Sequence, residues 1–405
     1  MSAHSCVRQD RIAGRAAGEQ GLPVNKTPGL TRFFQTETAS GILLLGATVA
    51  ALLWANSSWR SSYELVWHLS AGGVPLRFWV NDGLMTIFFL AVGLEIRREI
   101  HTGALSSVRT ATIPVLAALG GMIAPALIFV ALAEPSIHQG WAIPTATDIA
   151  FAIGALTLLG KRVPPAVRAL LLALAVIDDI GAILVIAVFY SAGVQLSGLL
   201  LATGAVACVW GLQRLGLRST WVYGLSGPIV WLGLHHAGVH PTLAGVIVGL
   251  MMAPTQAERL QPAVHPWVAC AIMPLFAFAN AGIALDGISP GAPLVAPLIA
   301  AVGMALVLGK PVGIVSFTWL ATRAGWGVLA PGLNWHGVIL AGCLGGIGFT
   351  MSIFIATLAF ADPGLLAAAK AAVLLGSVIA GVGAWLLGRW FKFSITRSQP
   401  ALRRH

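Results

Sequence analysis

Ala173-Leu174-Ala175-Val176-Ile177-Asp178-Asp179-Ile180-Gly181-Ala182-Ile183 is the stretch that decides the fold of this chain. It is apolar apart from two adjacent aspartates. The surrounding apolar run covers residues 166–190, with Arg168 near one end and Ser191 just past the other. A bilayer crossing takes about 20 such residues. At about 1.5 Å per residue the two acids lie roughly 15 Å from one end and 20 Å from the other, close to the bilayer midplane. Neighbouring helical residues point about 100° apart, so the pair cannot face lipid without a large penalty. Both acids are therefore expected to face one polar cavity. In hydrocarbon a carboxylate must be neutralised by a proton, a cation or a counter-charge. Carboxylate oxygens also suit a small hard cation. A proton and a cation would then compete for the same oxygens, and that competition is the simplest physical basis for exchange. The alternative is a protonated, hydrogen-bonded core pair with no transport role.

The rest of the chain supports a membrane setting. Hydrophobic residues make up 57% of the 405, and charged residues only 9%, against roughly 25% in soluble domains. Mean hydropathy is +0.86. These values exclude a soluble globular protein, a disordered chain and a coiled coil. Long apolar runs, not alternating strands of about ten residues, exclude a closed barrel. Apolar segments fall at 38–56, 79–96, 112–133, 141–160, 166–190, 195–213, 219–234, 239–253, 264–285, 293–320, 335–360 and 366–388. The expected fold class is an all-α polytopic membrane protein with about twelve transmembrane helices. Residues 1–35 read as a polar cytoplasmic tail without the apolar core of a signal peptide. Residues 36–390 read as one membrane domain, and 391–405 as a basic cytoplasmic tail.

Net charge is +10 and the pI is near 10.2. In a soluble protein that balance would suggest nucleic acid. Here the basic residues sit singly or in pairs at the ends of apolar runs, so they report topology and not a nucleic-acid partner. The two tails and the even-numbered gaps hold twenty of the 24 Lys and Arg residues. Arg60, Arg77 and Lys370 fall on the other side, and Lys310 lies inside a span. The positive-inside bias places both termini in the cytoplasm and requires an even number of spans. The cysteines are Cys6, Cys208, Cys270 and Cys343, with no CxxC pair. Neither a disulfide framework nor a metal knuckle is indicated. Residues 61–78, centred on Gly72-Gly73, read as an outside loop, either a small β-hairpin or an irregular connection.

Charges deep in a bilayer cost several kcal/mol, so each is a functional candidate. Asp148 lies in Ile143-Pro144-Thr145-Ala146-Thr147-Asp148, where proline and two threonines interrupt an apolar span. Leu344-Gly345-Gly346-Ile347-Gly348-Phe349-Thr350 interrupts another. Two broken spans, the fourth and the eleventh, one in each half, point to a midplane site in an inverted-repeat transporter. Half-helix ends leave partial charges of about half a unit in the membrane. Asp148 suits facing N-termini, and Lys310, between Gly309 and Pro311, suits facing C-termini or an ion pair with Asp178 or Asp179. Close helix packing is the alternative for the glycines, a plain helix cap for Asp148, and a purely structural counter-charge for Lys310.

Glu95 and Glu99 sit four apart beside Arg97 and Arg98 at the cytoplasmic end of the second span. They read either as a solvated helix end or as an acidic cluster at a cation entrance. Asp82, with Asn81, reads as a helix cap at the outer start of that span. His235, His236 and His240 lie near the outer ends of spans seven and eight, where packing competes with pH sensing.

Other classes compete. Gly224-Leu225-Ser226-Gly227 matches the GxSG pattern of rhomboid proteases, with a nearby histidine as base, but Pro228 follows and the buried charges stay unexplained. An aspartyl intramembrane protease needs carboxylates from two helices, and no GxGD occurs. A conducting channel would also use broken helices and acids; strict coupling of flux to protons would separate the two.

The residues around Asp178-Asp179 resemble the signature of NhaA-type Na+/H+ antiporters. So do Thr147-Asp148-Ile149-Ala150-Phe151, Gly309-Lys310-Pro311 and Val239-His240-Pro241-Thr242-Leu243-Ala244-Gly245. The same holds for Pro274-Leu275-Phe276-Ala277-Phe278-Ala279-Asn280-Ala281-Gly282 and Gly348-Phe349-Thr350-Met351-Ser352-Ile353-Phe354. The resemblance spans about residues 30–390. That family is itself a known inverted-repeat example. The resemblance implies a secondary transporter and not an enzyme, with no cofactor. It implies electrogenic export of one Na+ or Li+ for two H+ by alternating access, serving sodium and pH homeostasis from a bacterial inner membrane. It assigns cation and proton binding to Asp178 and Asp179. Charge compensation falls to Asp148, Thr147 and Lys310, and pH response to Glu95, Glu99 and His240. The lipid bilayer would be the chain's setting, and the outside loop 61–78 would form a homodimer contact. One departure is Gln261, where an acidic residue is expected in the short cytoplasmic loop Pro254–His265. It bears on steep alkaline activation and not on the transport chemistry.

Overall fold

The computed structural model describes residues 28–391, apart from 104, 192, 194, 217, 218 and 288–290. Most of both expected tails, and Cys6, lie outside the described residues. The chain is almost wholly helical. Helix α1 runs Pro28–Ala55 and α2 Arg60–His68, followed by strands β1 Ser70–Ala71 and β2 Val74–Pro75. Helix α3 covers Leu76–Thr102 and α4 Val108–Leu132. Short 3-10 turns at Pro135–Gly140 and Ile143–Thr145 lead to α5, Ile149–Leu158. Then come α6 Pro165–Phe189, α7 Leu196–Arg214, α8 Thr220–Ala237 and α9 Leu243–Met251. The last five are α10 Pro254–Asn280, α11 Val295–Arg323, α12 Trp335–Gly345, α13 Phe349–Ala359 and α14 Pro363–Trp390.

Among the described residues seven helices are long and apolar enough to cross a membrane, or nine if each of two bent pairs is one span. The expectation is twelve. The difference falls on α5 and α9, which have 10 and 9 residues, and on α8, whose 18 residues include Thr220, Tyr223, Ser226 and two histidines. Helices α12 and α13 meet at a 44° bend, at the glycine-rich stretch Gly345–Gly348.

Prolines explain two local departures from α geometry. Pro274 and Pro311 have no amide proton, so the carbonyls four residues earlier lose their helical partners. The chain answers with widened π-turns just upstream, Val268–Ile272 in α10 and Ala305–Gly309 in α11. A third widened turn, Trp79–Leu84, lies near the N-terminal end of α3.

Lipid offers apolar helices no hydrophobic gain on association, so close packing of small residues holds them together. Helices α4 and α11 show why glycine is needed. A Cβ on Gly309 would come within 2.8 Å of Pro125 Cα, and one on Gly313 within 2.8 Å of Ala124 Cβ. This near-contact of backbones delivers Lys310, next to Gly309, into the centre of the molecule.

The segment 61–78 departs from the expectation in part. Gly72 and Gly73, at φ +65° and +84°, close a hairpin that pairs Ser70 with Pro75 and Ala71 with Val74, as a two-residue turn with positive φ at both positions requires. Its first half is helical, however. Tyr63 and Trp67, one turn apart on α2, are both buried against Phe278. The Tyr63 hydroxyl donates to the Phe278 carbonyl at 2.7 Å, and Arg60 pairs with Asp286 at 2.8 Å. The segment Pro254–His265 also departs from the expected loop: it is the first part of α10. Pro254 sits in the first turn, where its fixed φ favours helix, and Ala257 packs in a cluster with Leu94, Val209 and Tyr223. Asp82 is not a cap either, because the helix starts six residues earlier, at Leu76.

Candidate functional site

The site assembles where the non-helical link ahead of α5 meets the bend between α12 and α13. The Asp148 amide donates to the Ile347 carbonyl at 2.7 Å, which ties the two irregular segments together backbone to backbone. Asp148, 1% exposed, then serves two helix starts. Its Oδ1 accepts from the Phe151 amide of α5 at 3.1 Å, and its Oδ2 from the Thr350 amide of α13 at 3.2 Å and from the Thr350 hydroxyl. A helix N-terminus carries unpaired amides and partial positive charge, and a carboxylate answers both. The Phe349 amide is met by Ser377 Oγ of α14 at 3.1 Å.

Lys310 is fully buried. Its Nζ donates to Asp178 Oδ2 at 2.5 Å and to Thr147 Oγ1 at 2.9 Å. The Thr147 hydroxyl, with one proton to give, stands 2.7 Å from Asp178 Oδ2 and 2.9 Å from the Gly345 carbonyl. Gly345 is the last residue of α12. The ammonium and the hydroxyl therefore link a helix C-terminus to a buried acid on α6.

Asp178 and Asp179 are each 2% exposed. Asp178 Oδ1 and Asp179 Oδ1 have no hydrogen-bond partner among the described residues. Buried polar atoms are almost always partnered, and each exception needs an explanation. Asp179 lies within electrostatic reach of Glu95, Asp178, Asp148 and Lys310. Three of those four neighbours are acids, and the fourth is a lysine.

The structure thus brings together Thr147, Asp148, Asp178, Asp179 and Lys310, and places Glu95 within their field. Glu99 lies apart, its carboxylate folded over Gly103 at the end of α3, where a Cβ would meet Oε1 at 2.7 Å. His240 is also apart. Its Nδ1 is 2.9 Å from Thr242 Oγ1, and its Nε2 is 3.8 Å from Asp82 Oδ1. Thr350 and Ser377 are site residues that sequence reasoning did not single out, although Thr350 stands in the interrupted segment. Ser377 gives no signal, being one polar residue in a long apolar helix. For the protease alternative, Ser226 Oγ donates to the Tyr223 carbonyl at 3.3 Å and has no histidine partner among the described residues.

Known proteins resemble this chain along most of its length. The family model Na+/H+ antiporter 1 matches residues 31–387. The chain is 49% identical to Na(+)/H(+) antiporter NhaA 2 of Pseudomonas putida KT2440, over 89% of this chain and 92% of that protein. It is 50% identical to Na(+)/H(+) antiporter NhaA of Acidovorax sp. JS42, over 90% and 92%. It is 44% identical to Na(+)/H(+) antiporter NhaA 2 of Myxococcus xanthus DK1622, over 98% and 93%. The chain belongs to the Na+/H+ antiporter 1 family of membrane proteins, which are transporters and not enzymes.

Proposed function

We propose that Na+ and H+ are exchanged through the Asp178–Asp179 pair, which holds either protons or the cation. The observation that carries this reading is the pair of buried carboxylate oxygens, Asp178 Oδ1 and Asp179 Oδ1, that lack partners among the described residues. Unpartnered acceptors on neighbouring, buried residues among other acids suit a guest that the protein itself does not supply. Na+ and Li+ are hard cations and fit carboxylate oxygens.

Lys310 sets the terms of entry. Its ammonium holds Asp178 Oδ2 while Oδ1 has no partner among the described residues, so ammonium and cation would compete for the charge of one carboxylate. If each acid takes a proton as the cation leaves, two protons enter per Na+ or Li+ exported, and one net charge moves per cycle. Electrogenic exchange with that stoichiometry follows.

Alternating access is the movement we assign to the crossing. Asp148 meets the N-terminal amides of α5 and α13, and Thr147 with Lys310 meets the C-terminal carbonyl of α12. In this reading the Ile143–Leu158 and Trp335–Ala359 segments are discontinuous fourth and eleventh spans in a twelve-span, inverted-repeat chain. The positive-inside bias puts both termini in the cytoplasm of a bacterial inner membrane, and the hairpin of residues 70–75 offers a contact for a homodimer. Glu95 serves the cytoplasmic entrance, and Glu99 and His240 belong to pH response.

Reconstitution tests the reading. Proteoliposomes given an inward Na+ gradient should alkalinise as protons leave, and a membrane potential should alter the rate. Sodium flux without proton movement would overturn it. Apparent Na+ affinity should also weaken about tenfold per pH unit for each competing proton, because the guests share ligands that must be deprotonated. A binding isotherm that keeps one midpoint from mildly acidic to alkaline pH would contradict the shared site.

A further inference from the structure

Helix α3 carries an acid towards each end. Glu95 lies within electrostatic reach of Asp179. Asp82 lies thirteen residues earlier, about 20 Å along the axis, in the widened turn Trp79–Leu84. Such turns recur at functional sites because they rotate side chains out of helical register. This one turns two polar residues inward. Asn81 Oδ1 accepts from Asn280 Nδ2 at 2.7 Å, which joins the turn to the end of α10. Asp82 faces His240, with 3.8 Å between Oδ1 and Nε2.

The pair is neither solvated surface nor sealed core: the side chains are 18% and 14% exposed. The carboxylate–imidazole separation is too long for a direct hydrogen bond, and a shared proton or a water would close it. Around the imidazole stand Thr242 on one nitrogen, Asp82 on the other and Phe354 against the ring, at 5.5 Å and 83°. The neighbouring histidines do not join it. His235 stacks on Trp231 and packs on Phe78, and His236 packs on His235. Phe354 belongs to α13, the helix that starts at the bend, and it also packs on Phe89 and Phe276. The imidazole therefore touches both an acid at the outer end of α3 and the segment that carries Thr350 into the central site.

We propose that Asp82 and His240 form an outer station of the exchange path, the pair taking up the entering proton and the Asp82 carboxylate receiving the departing Na+. The proposal rests on the antiporter reading. Asp82 is the station's cation-binding group, and His240 is a positioning residue that links its charge to α13.

Oriented proteoliposomes test the station through sidedness, which a merely structural role would not produce. Wild-type exchange and its loss in Asp179→Asn are read first; if wild-type protein shows no exchange, the antiporter reading fails. With exchange present, Asp82→Asn and His240→Gln should each raise the apparent KM for external Na+ several-fold, leave the internal KM unchanged and shift the external pH profile. Asp82→Glu should restore wild-type values. The double variant should match the stronger single one, since residues that act as a unit are not additive. Equal changes on both faces, strict additivity, or no change in external KM or pH profile would each overturn the proposal. Should Asp82→Asn fail to fold, His240→Gln carries the test: a several-fold raised external KM with unchanged internal KM supports the station, and changes on both faces overturn it.

Discussion

Asp179→Asn is expected to reduce Na+-dependent proton movement to the level of protein-free vesicles while the protein stays folded. Asparagine keeps the shape of the side chain but cannot take up a proton or carry a negative charge. In the proposed cycle this removes one of the two proton carriers and one of the anionic ligands that would replace the cation's water. Stability should not suffer. Asp179 is buried among like charges and Asp179 Oδ1 has no partner among the described residues, so a neutral amide removes a penalty for a buried charge. The measurement is dequenching of a ΔpH-sensitive dye in inverted vesicles on Na+ addition, with a melting curve in detergent as the folding control. A full wild-type signal would sink the assignment of Asp179.

Lys310→Ala should act in the opposite manner, with a stability loss as its main effect. Removing one partner of a buried ion pair typically costs about 3–5 kcal/mol, because the other charge is left uncompensated. Here Asp178 would lose its 2.5 Å partner, and Thr147 Oγ1 would lose a donor. The melting temperature should fall clearly. The sign of the pH dependence follows: protonating the orphaned acid relieves it, so the variant's deficit should shrink as pH falls. High Na+ should relieve it likewise by occupying the same oxygens. The double variant Asp178→Asn/Lys310→Ala should recover much of the loss, as a double-mutant cycle on a direct pair requires. An unchanged melting temperature in Lys310→Ala would show that the ammonium does not hold the site together.

Composition and spacing made much of this arrangement legible. An aspartate pair in the middle of a long apolar run marks its own site, because bilayer physics leaves few other reasons for it. Asp148 and Lys310 could be read in the same way, and the glycines at 345–348 announced the bend. What stayed hidden is tertiary. Nothing near Asp82 indicated that a histidine 158 residues later would face it, so a cap was the natural reading. Ser377 looked like any small residue in a packed helix. Residues 254–265 read as a loop because proline and polar residues dominate them, yet burial of Ala257 and the early position of Pro254 made them helix. Tyr63 and Trp67 read as part of a loop, yet a helical face packs both against Phe278.

The doubly engaged carboxylate of Asp148 has a mechanical corollary. A single side chain fastened to the amides of Phe151 and Thr350 behaves as a rivet through two overlapping plates. Neither short helix can tilt by itself without giving up one of those bonds, so in the alternating-access cycle proposed above the two would swing in concert. A lone movement of one leaf would then be the costly one.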